Sequence, residues 1–311
     1  MYVLDNRIDF ESREKLEEYL KGYNYKTSGL SFSALYMWRD INRFCWQQIG
    51  DYMCISGLSH LELDQGKLEA FLFPPLSKTG TYDTEKLRET ILAAKEIFEK
   101  KGYAFSLRLV PFSLLEQIKK AFPKEFSFVD DRPNYDYLYL KQDLIELKGK
   151  DYHSKKNHLN YFQRNYKYDY VELKAEMADD VMDFISRFNS EKNLPPNEMV
   201  LLKNEEEAMR DVFGNIEKAK YYGGAIIIDG QIEAVTVGGL LGKDTITVHI
   251  EKANKKIRGL YQAINNEFCK AVPENIRFMN REEDMGILAL RKAKFSYKPI
   301  ELVEKYIIKI D

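Results

Sequence analysis

The sequence predicts an α/β protein made of two similar domains, each a mixed, mostly antiparallel sheet flanked by helices. Three observations predict it. Apolar residues alternate between a spacing of three to four and a spacing of two along the whole chain. The order helix, strand, short helix, strand over residues 84–129 recurs over residues 257–310. Asp229-Gly230 is a turn pair between two alternating runs, which specifies a hairpin. The expected division is 1–140 and 141–311, with no Pro/Gly/Ser-rich linker between them.

The elements follow in order. "DFESREKLEEYLKGY" reads as a helix closed by Gly22, and "SFSALYMWRD" as a second with Phe32, Leu35 and Trp38 in register. "FCWQQIGDYMCISG" reads as two strands around Gly50-Asp51. Asp83 or Thr84 caps a helix whose stripe is Leu87, Ile91, Ala94 and Phe98, and Gly102 ends it. "AFSLRLV", "FSLLEQIKKAF", "EFSFV" and "NYDYLYL" then read as strand, helix, strand, strand. In the second half, "DDVMDFISRFNSEK" and "NEEEAMRDVFGNIEKAK" are helices, followed by the hairpin and the strand "DTITVHIEKA". "IRGLYQAINNEFCKAV" is a helix, "IRFMN" a strand and "DMGILALRKA" a short helix. "FSYKPIELVEKYIIKI" supplies one or two strands.

Composition narrows the function. The 311 residues carry 47 Lys+Arg against 49 Asp+Glu, so no global field draws the protein to nucleic acid or an anionic membrane. Anion binding has to be local. Cys45, Cys54 and Cys269 have no C-x-x-C spacing, which argues against a disulfide framework and a cysteine metal site and for a reducing compartment. The N-terminus lacks the pattern of a secretory leader, and no apolar run reaches membrane-spanning length. The expected location is cytoplasmic, with no metal.

Three stretches carry candidate chemistry. In "GKDYHSKKNHLNYFQRNY", a helix over 152–166 places His153, Lys156, Asn157, Asn160 and Arg164 on one face. Tyr152, Leu159, Phe162 and Tyr166 form another face, with Lys155 inside that apolar stripe. A solvated surface helix is the ordinary reading of such charge. Against it, the polar face holds no acids for i,i+4 pairs, and His, Lys, Asn and Arg suit a phosphate. In "EKANKKIRGLYQAI", a strand runs through a basic loop with Lys255, Lys256, Arg258 and Gly259 into a helix start, where backbone N–H groups favour anions. In "FMNREEDMGILALRKAKFSYKP", polar Asn280, Arg281 and Glu282 follow a strand end, where α/β folds place ligands. Helix grammar accounts for part of this stretch, with Asp284 as cap and Arg291 and Lys292 at the C-terminal end.

The first and third of these motifs resemble the DUF2156 family, related to the C-terminal domain of phosphatidylglycerol lysyltransferase (LPG synthase), over most of the chain. The resemblance rests on His153, Lys155, Lys156, Asn157, His158 and Asn160, and on Asn280, Glu282, Asp284, Gly286, Arg291 and Lys294. It implies two tandem GNAT-like domains and transfer of an acyl or aminoacyl group to an amine or hydroxyl. The span Lys256-Ile257-Arg258-Gly259-Leu260-Tyr261 departs from the GNAT cofactor loop at its first and last positions. A GNAT-like site needs a base, for which Glu282, Asp284 and His249 are the candidates. The candidates for holding the donor are His153, Lys155, Lys156, Lys255, Lys256, Arg258, Gly259, Asn280 and Arg291. The leading reading is a soluble acyltransferase or aminoacyltransferase. The short basic tracks favour a compact acyl-CoA over aminoacyl-tRNA as donor. The alternative is a non-catalytic nucleotide- or RNA-binding protein on the same scaffold.

Overall fold

The computed structural model describes residues 2–23, 26–59, 69–190 and 196–310. They form two compact units. Unit 1 comprises Met1–Asp136 and Val303–Asp311, and unit 2 comprises Tyr137–Leu302.

In unit 1 the chain forms β1 (Asn6–Arg7), α1 (Arg13–Leu20), α2 (Phe32–Met37), β2 (Cys45–Ile49), β3 (Tyr52–Ser59) and β4 (Glu69–Leu72). It continues with α3 (Thr84–Lys100), β5 (Leu107–Pro111), α4 (Phe112–Ala121) and β6 (Phe126–Asp130). Strand alternation sorts the core. On β3, Tyr52 and Cys54 join Leu87, Ile91 and Phe98 of α3, while Met53 and Ile55 join Leu16, Tyr19 and Leu35 of α1 and α2. The expected cap holds α3, since Asp83 accepts from the Lys86 N–H at 3.0 Å and Gly102 follows with φ +78°.

Next come β7 (Asp136–Leu140), α5 (Lys141–Glu146), α6 (His153–Asn165), β8 (Tyr168–Glu172), α7 (Ala178–Ser190), α8 (Pro196–Gly214) and α9 (Ile216–Ala219). The hairpin of β9 (Tyr221–Ile228) and β10 (Gln231–Leu241) turns at Asp229 and Gly230, both with positive φ. Then follow β11 (Thr245–Ala253), α10 (Leu260–Ala271), β12 (Phe278–Asn280), α11 (Leu288–Phe295), β13 (Glu301–Val303) and β14 (Lys305–Ile310).

The two sheets have the same plan. Their orders are β1-β2-β3-β4-β5-β14-β6 and β8-β9-β10-β11-β12-β7-β13. In each, an antiparallel meander leads to one parallel pair, β4 with β5 and β11 with β12. The repeat expected from element order is therefore present. The expected division at residue 140 differs in one respect. β7 follows β6 in the chain yet fills the sixth position of the second sheet, and β14 follows β13 yet fills the sixth position of the first. A buried cluster marks the crossing within unit 1. Lys305 Nζ lies 2.6 Å from Asp136 Oδ1, and Asp136 also accepts from the Ser28 N–H at 2.7 Å and its hydroxyl at 2.9 Å. Removing either charge alone leaves the other buried and unpaired.

Candidate functional site

The site of unit 2 starts from how two parallel strands part. β11 and β12 pair at Thr245↔Phe278, Ile246↔Met279 and Thr247↔Asn280, where β12 ends. β11 runs on to Ala253 without a partner on that side among the described residues. A bulge falls at the parting, because Val237 pairs with Ile250 and Gly238 with Val248, leaving His249 as the extra residue. Bulges re-aim a side chain in this way. Gly238 permits the close approach, since a Cβ there would stand 2.5 Å from the Thr247 carbonyl oxygen.

Beyond Asn280 the backbone turns into the left-handed region at Glu282, φ +55°. The Glu282 N–H donates to Asn280 Oδ1 at 2.8 Å, and the backbone of Tyr137 holds Arg281 and Glu282 from the β7 side. This turn brings Glu282 across the wedge to His249, with Oε1 2.8 Å from Nδ1. The His249 side chain is wholly buried, whereas that of Glu282 is 21% exposed. The imidazole therefore orients the carboxylate, and the carboxylate is the member of the pair that solvent or substrate can reach.

A second pair lies beside the first. Arg281 Nη2 is 2.7 Å from Glu251 Oε1, and Asn265 donates to Glu251 Oε2 at 2.9 Å. The Arg281 guanidinium lies between the rings of Tyr139 and Tyr297, with centroids at 5.7 and 4.7 Å. Burial opposes its charge, but Glu251 and the two tyrosines outweigh burial and raise its pKa. Burial pushes the Tyr297 hydroxyl up to about 12, against the opposing pull of Arg281. Arg281 was read at the strand end where ligands are placed, but it was not named among the base or donor-holding candidates.

Asp284 and Arg291 need correction. Asp284 is fully buried and accepts from the Tyr137 hydroxyl at 2.6 Å, Arg291 Nε at 2.8 Å and Nη2 at 2.9 Å, and the Gly286 N–H at 2.9 Å. A carboxylate so saturated anchors a loop and does not serve as a base, and its hydrogen bond raises the Arg291 pKa. The helix expected at Asp284 starts at Leu288, because Met285 and Gly286 have positive φ. Lys294 Nζ completes the clamp by donating to the carbonyls of Arg281 and Glu283.

The two basic stretches meet. Gly259, φ +87°, packs so closely on α6 that an added Cβ would lie 2.2 Å from the His158 carbonyl oxygen. Lys255, Lys256, Arg258 and His153 are exposed around this contact, and Arg258 lies 4.4 Å over the Tyr161 ring. Lys156 is a second correction, since its Nζ donates to the Glu146 carbonyl at 3.0 Å and caps α5. Lys155 takes a different path, 4.4 Å over the Tyr297 ring. Asn280 is buried and shapes the turn.

An antiparallel meander leading into a parted parallel pair, present in both units, defines a tandem GNAT-like α/β protein. The chain belongs to the family described as phosphatidylglycerol lysyltransferase, C-terminal, whose profile matches residues 21–309. It is similar to a conserved protein of unknown function from Bacteroides thetaiotaomicron, 29% identical, with a TM-score of 0.88 over 98% of this chain and 99% of that one. L-PGS from Bacillus licheniformis shares the fold at 13% identity, TM-score 0.65, over 99% and 93% of the two chains. FemX shares it at 8% identity, TM-score 0.63, over 98% and 96%. An uncharacterised protein of Mycoplasmoides gallisepticum is 24% identical over 202 residues, 63% of this chain and 62% of its own length, so the match spans about three-fifths of that relative. No helix among the described residues is long and apolar enough to cross a membrane.

Proposed function

We propose that unit 2 transfers an aminoacyl group to an amine or hydroxyl acceptor, with Glu282 as the general acid–base. The observation that carries this reading is the Glu282 carboxylate, partly exposed and held 2.8 Å from the buried His249 ring inside the wedge of β11 and β12. The acceptor attacks the donor carbonyl and gives its proton to Glu282. Beyond Thr247, alternate backbone N–H groups of β11 face a side with no partner strand among the described residues and can hold the oxyanion that forms. Collapse expels the donor's oxygen or sulfur, which takes the proton back from Glu282.

Membership of a family described by lysyl transfer supports an aminoacyl group. The donor end would be met by the exposed cations Lys255, Lys256 and Arg258 at the start of α10. Lys256 and Arg258 serve aminoacyl-tRNA and acyl-CoA alike, so the donor has to be read directly. The test incubates the protein with labelled aminoacyl-tRNA or acyl-CoA and a panel of amines and alcohols. Transfer from one donor is expected, and Glu282→Gln is expected to slow it about 10²–10⁴-fold. Unchanged turnover in Glu282→Gln would remove the assigned base. Tight binding of a nucleotide or RNA with no transfer from either donor would establish the binding-protein reading instead.

A further inference from the structure

Several buried or half-buried cations in unit 2 are matched. Lys252 pairs with Glu205 at 2.9 Å, Arg291 with Asp284, and Lys294 with two carbonyls. Among the described residues, Lys155 and one donor of Arg281 are not matched in this way. Lys155 sits in the stripe of α6 whose other members, Tyr152, Leu159 and Phe162, are buried core. Its ammonium is half-buried over the Tyr297 ring, with no carboxylate in ion-pair range among the described residues. Arg281 reaches the same ring, 4.7 Å from the centroid, and its Nη1 is buried without a hydrogen-bond partner. The carboxylate in this cluster, Glu251, is already engaged by Arg281 Nη2 and Asn265. Burial first, and Arg281 second, lower the Lys155 pKa, so the two cations repel each other.

We propose that Lys155 and Arg281 together seat one oxyanionic group, a phosphate or a carboxylate, of the molecule bound in unit 2. The two cationic centres lie 4.4 and 4.7 Å from the centroid of one ring and so within about 9 Å of each other, a gap that an oxyanion bonded to both at ~2.8 Å can bridge. The group would complete the unmade Arg281 donor, neutralise the surplus charge and remove the mutual repulsion. Its chemistry is shared by a donor phosphate and an acceptor carboxylate. Only the identity of the molecule rests on the transfer reading, because the seat is defined by charge and geometry alone.

The experiment is competitive lysine labelling read by mass spectrometry, with pyrophosphate, CoA or acetate present at millimolar concentration. One of them is expected to slow labelling of Lys155 by about threefold or more, an occupancy effect, while exposed Lys167 is unaffected. Pyrophosphate and CoA without acetate would assign a phosphate, and acetate alone a carboxylate. Calorimetry with the protecting ligand should show binding weakened about tenfold by Lys155→Met and partly restored by Lys155→Arg. Absence of protection by all three probes, or equal binding to Lys155→Met, would overturn the seat. Neither readout needs catalysis, so transfer without protection sinks the seat alone, and protection without transfer sinks the transfer reading alone.

Discussion

The wedges of the two units are built alike and filled differently. In unit 1 the parallel strands pair at Leu72↔Leu107, and the residue two places beyond Leu107 is Leu109, φ +57°. In unit 2 the last pair is Thr247↔Asn280, and the residue two places beyond Asn280 is Glu282, φ +55°. A left-handed non-glycine residue costs about 1–2 kcal/mol, and both units bear it. The turn therefore belongs to the frame and is not a mark of chemistry. The filling differs. Phe73 and Leu109 both come against Gly29 in unit 1, at 3.3 and 3.6 Å from an ideal Cβ built there, beside an apolar cluster. His249, Glu282, Arg281 and Glu251 fill the wedge in unit 2. One frame thus supports a packed core in one copy and a polar site in the other.

The comparison can be broken most directly at the equivalent pair. Glu282→Leu, which gives unit 2 the residue of unit 1, should lower transfer about 10²–10⁴-fold in single-turnover assays. Leu109→Glu should create no activity, since the described residues of unit 1 include no histidine to hold the carboxylate. Transfer that survives Glu282→Leu, or vanishes only with Leu109→Glu, would reverse the assignment of the two wedges.

Phe73→Ala sharpens the contrast from the other side. The ring is 1% exposed, and its loss should cost about 3–5 kcal/mol in urea unfolding while turnover per folded molecule stays unchanged. Arg281→Met should cost about 3 kcal/mol, because Glu251 is then left with Asn265 as its only partner here. Phe73→Ala slowing turnover as much as Glu282→Leu would end the division of labour.

The smallest effect concerns pH. The folded-state pKa of Lys155 is lowered, so between that value and its unfolded value near 10.4 the unfolded chain binds more protons. Stability should rise with pH through that window, and Lys155→Met should remove the rise. Denaturant midpoints of the two proteins between pH 8 and about 10.5 check it. A wild-type midpoint that falls relative to Lys155→Met would mean that Lys155 is stabilised as a cation.

Much of the frame was legible because its signals are local. Asp229-Gly230 specified the hairpin, the Leu87–Phe98 stripe specified α3, and the recurring element order specified the repeat. The positions of β7 and β14 were not legible, since each leaves the strand it follows for a partner far away in sequence, and no local periodicity encodes that. Short α5 and β8 were not read as elements, for want of a full period. At the site, Glu282 and His249 were both named, but their pairing spans 33 residues and depends on a bulge and a left-handed turn. Asp284 and Arg291 have the composition of helix caps, and only the positive φ at Met285 and Gly286 makes them a closed pair. Lys155 was visible as an anomaly from its place in an apolar stripe. Its proximity to Arg281 was not, because nothing in sequence links a strand end to a helix 126 residues earlier.

The crossing strand has a consequence for synthesis. A ribosome makes β5 and β6 long before β14, the strand that lies between them. Every residue of 137–302 must be translated first, and that stretch already contains its whole sheet apart from the ends of β7 and β13 at the unit boundary. The first unit therefore waits with two strand edges open until almost all of the second has been made, so it cannot complete first as an N-terminal domain usually does. During that interval the open edges are where a chaperone would be needed, and a pause in translation between codons 137 and 302 would lengthen the exposure.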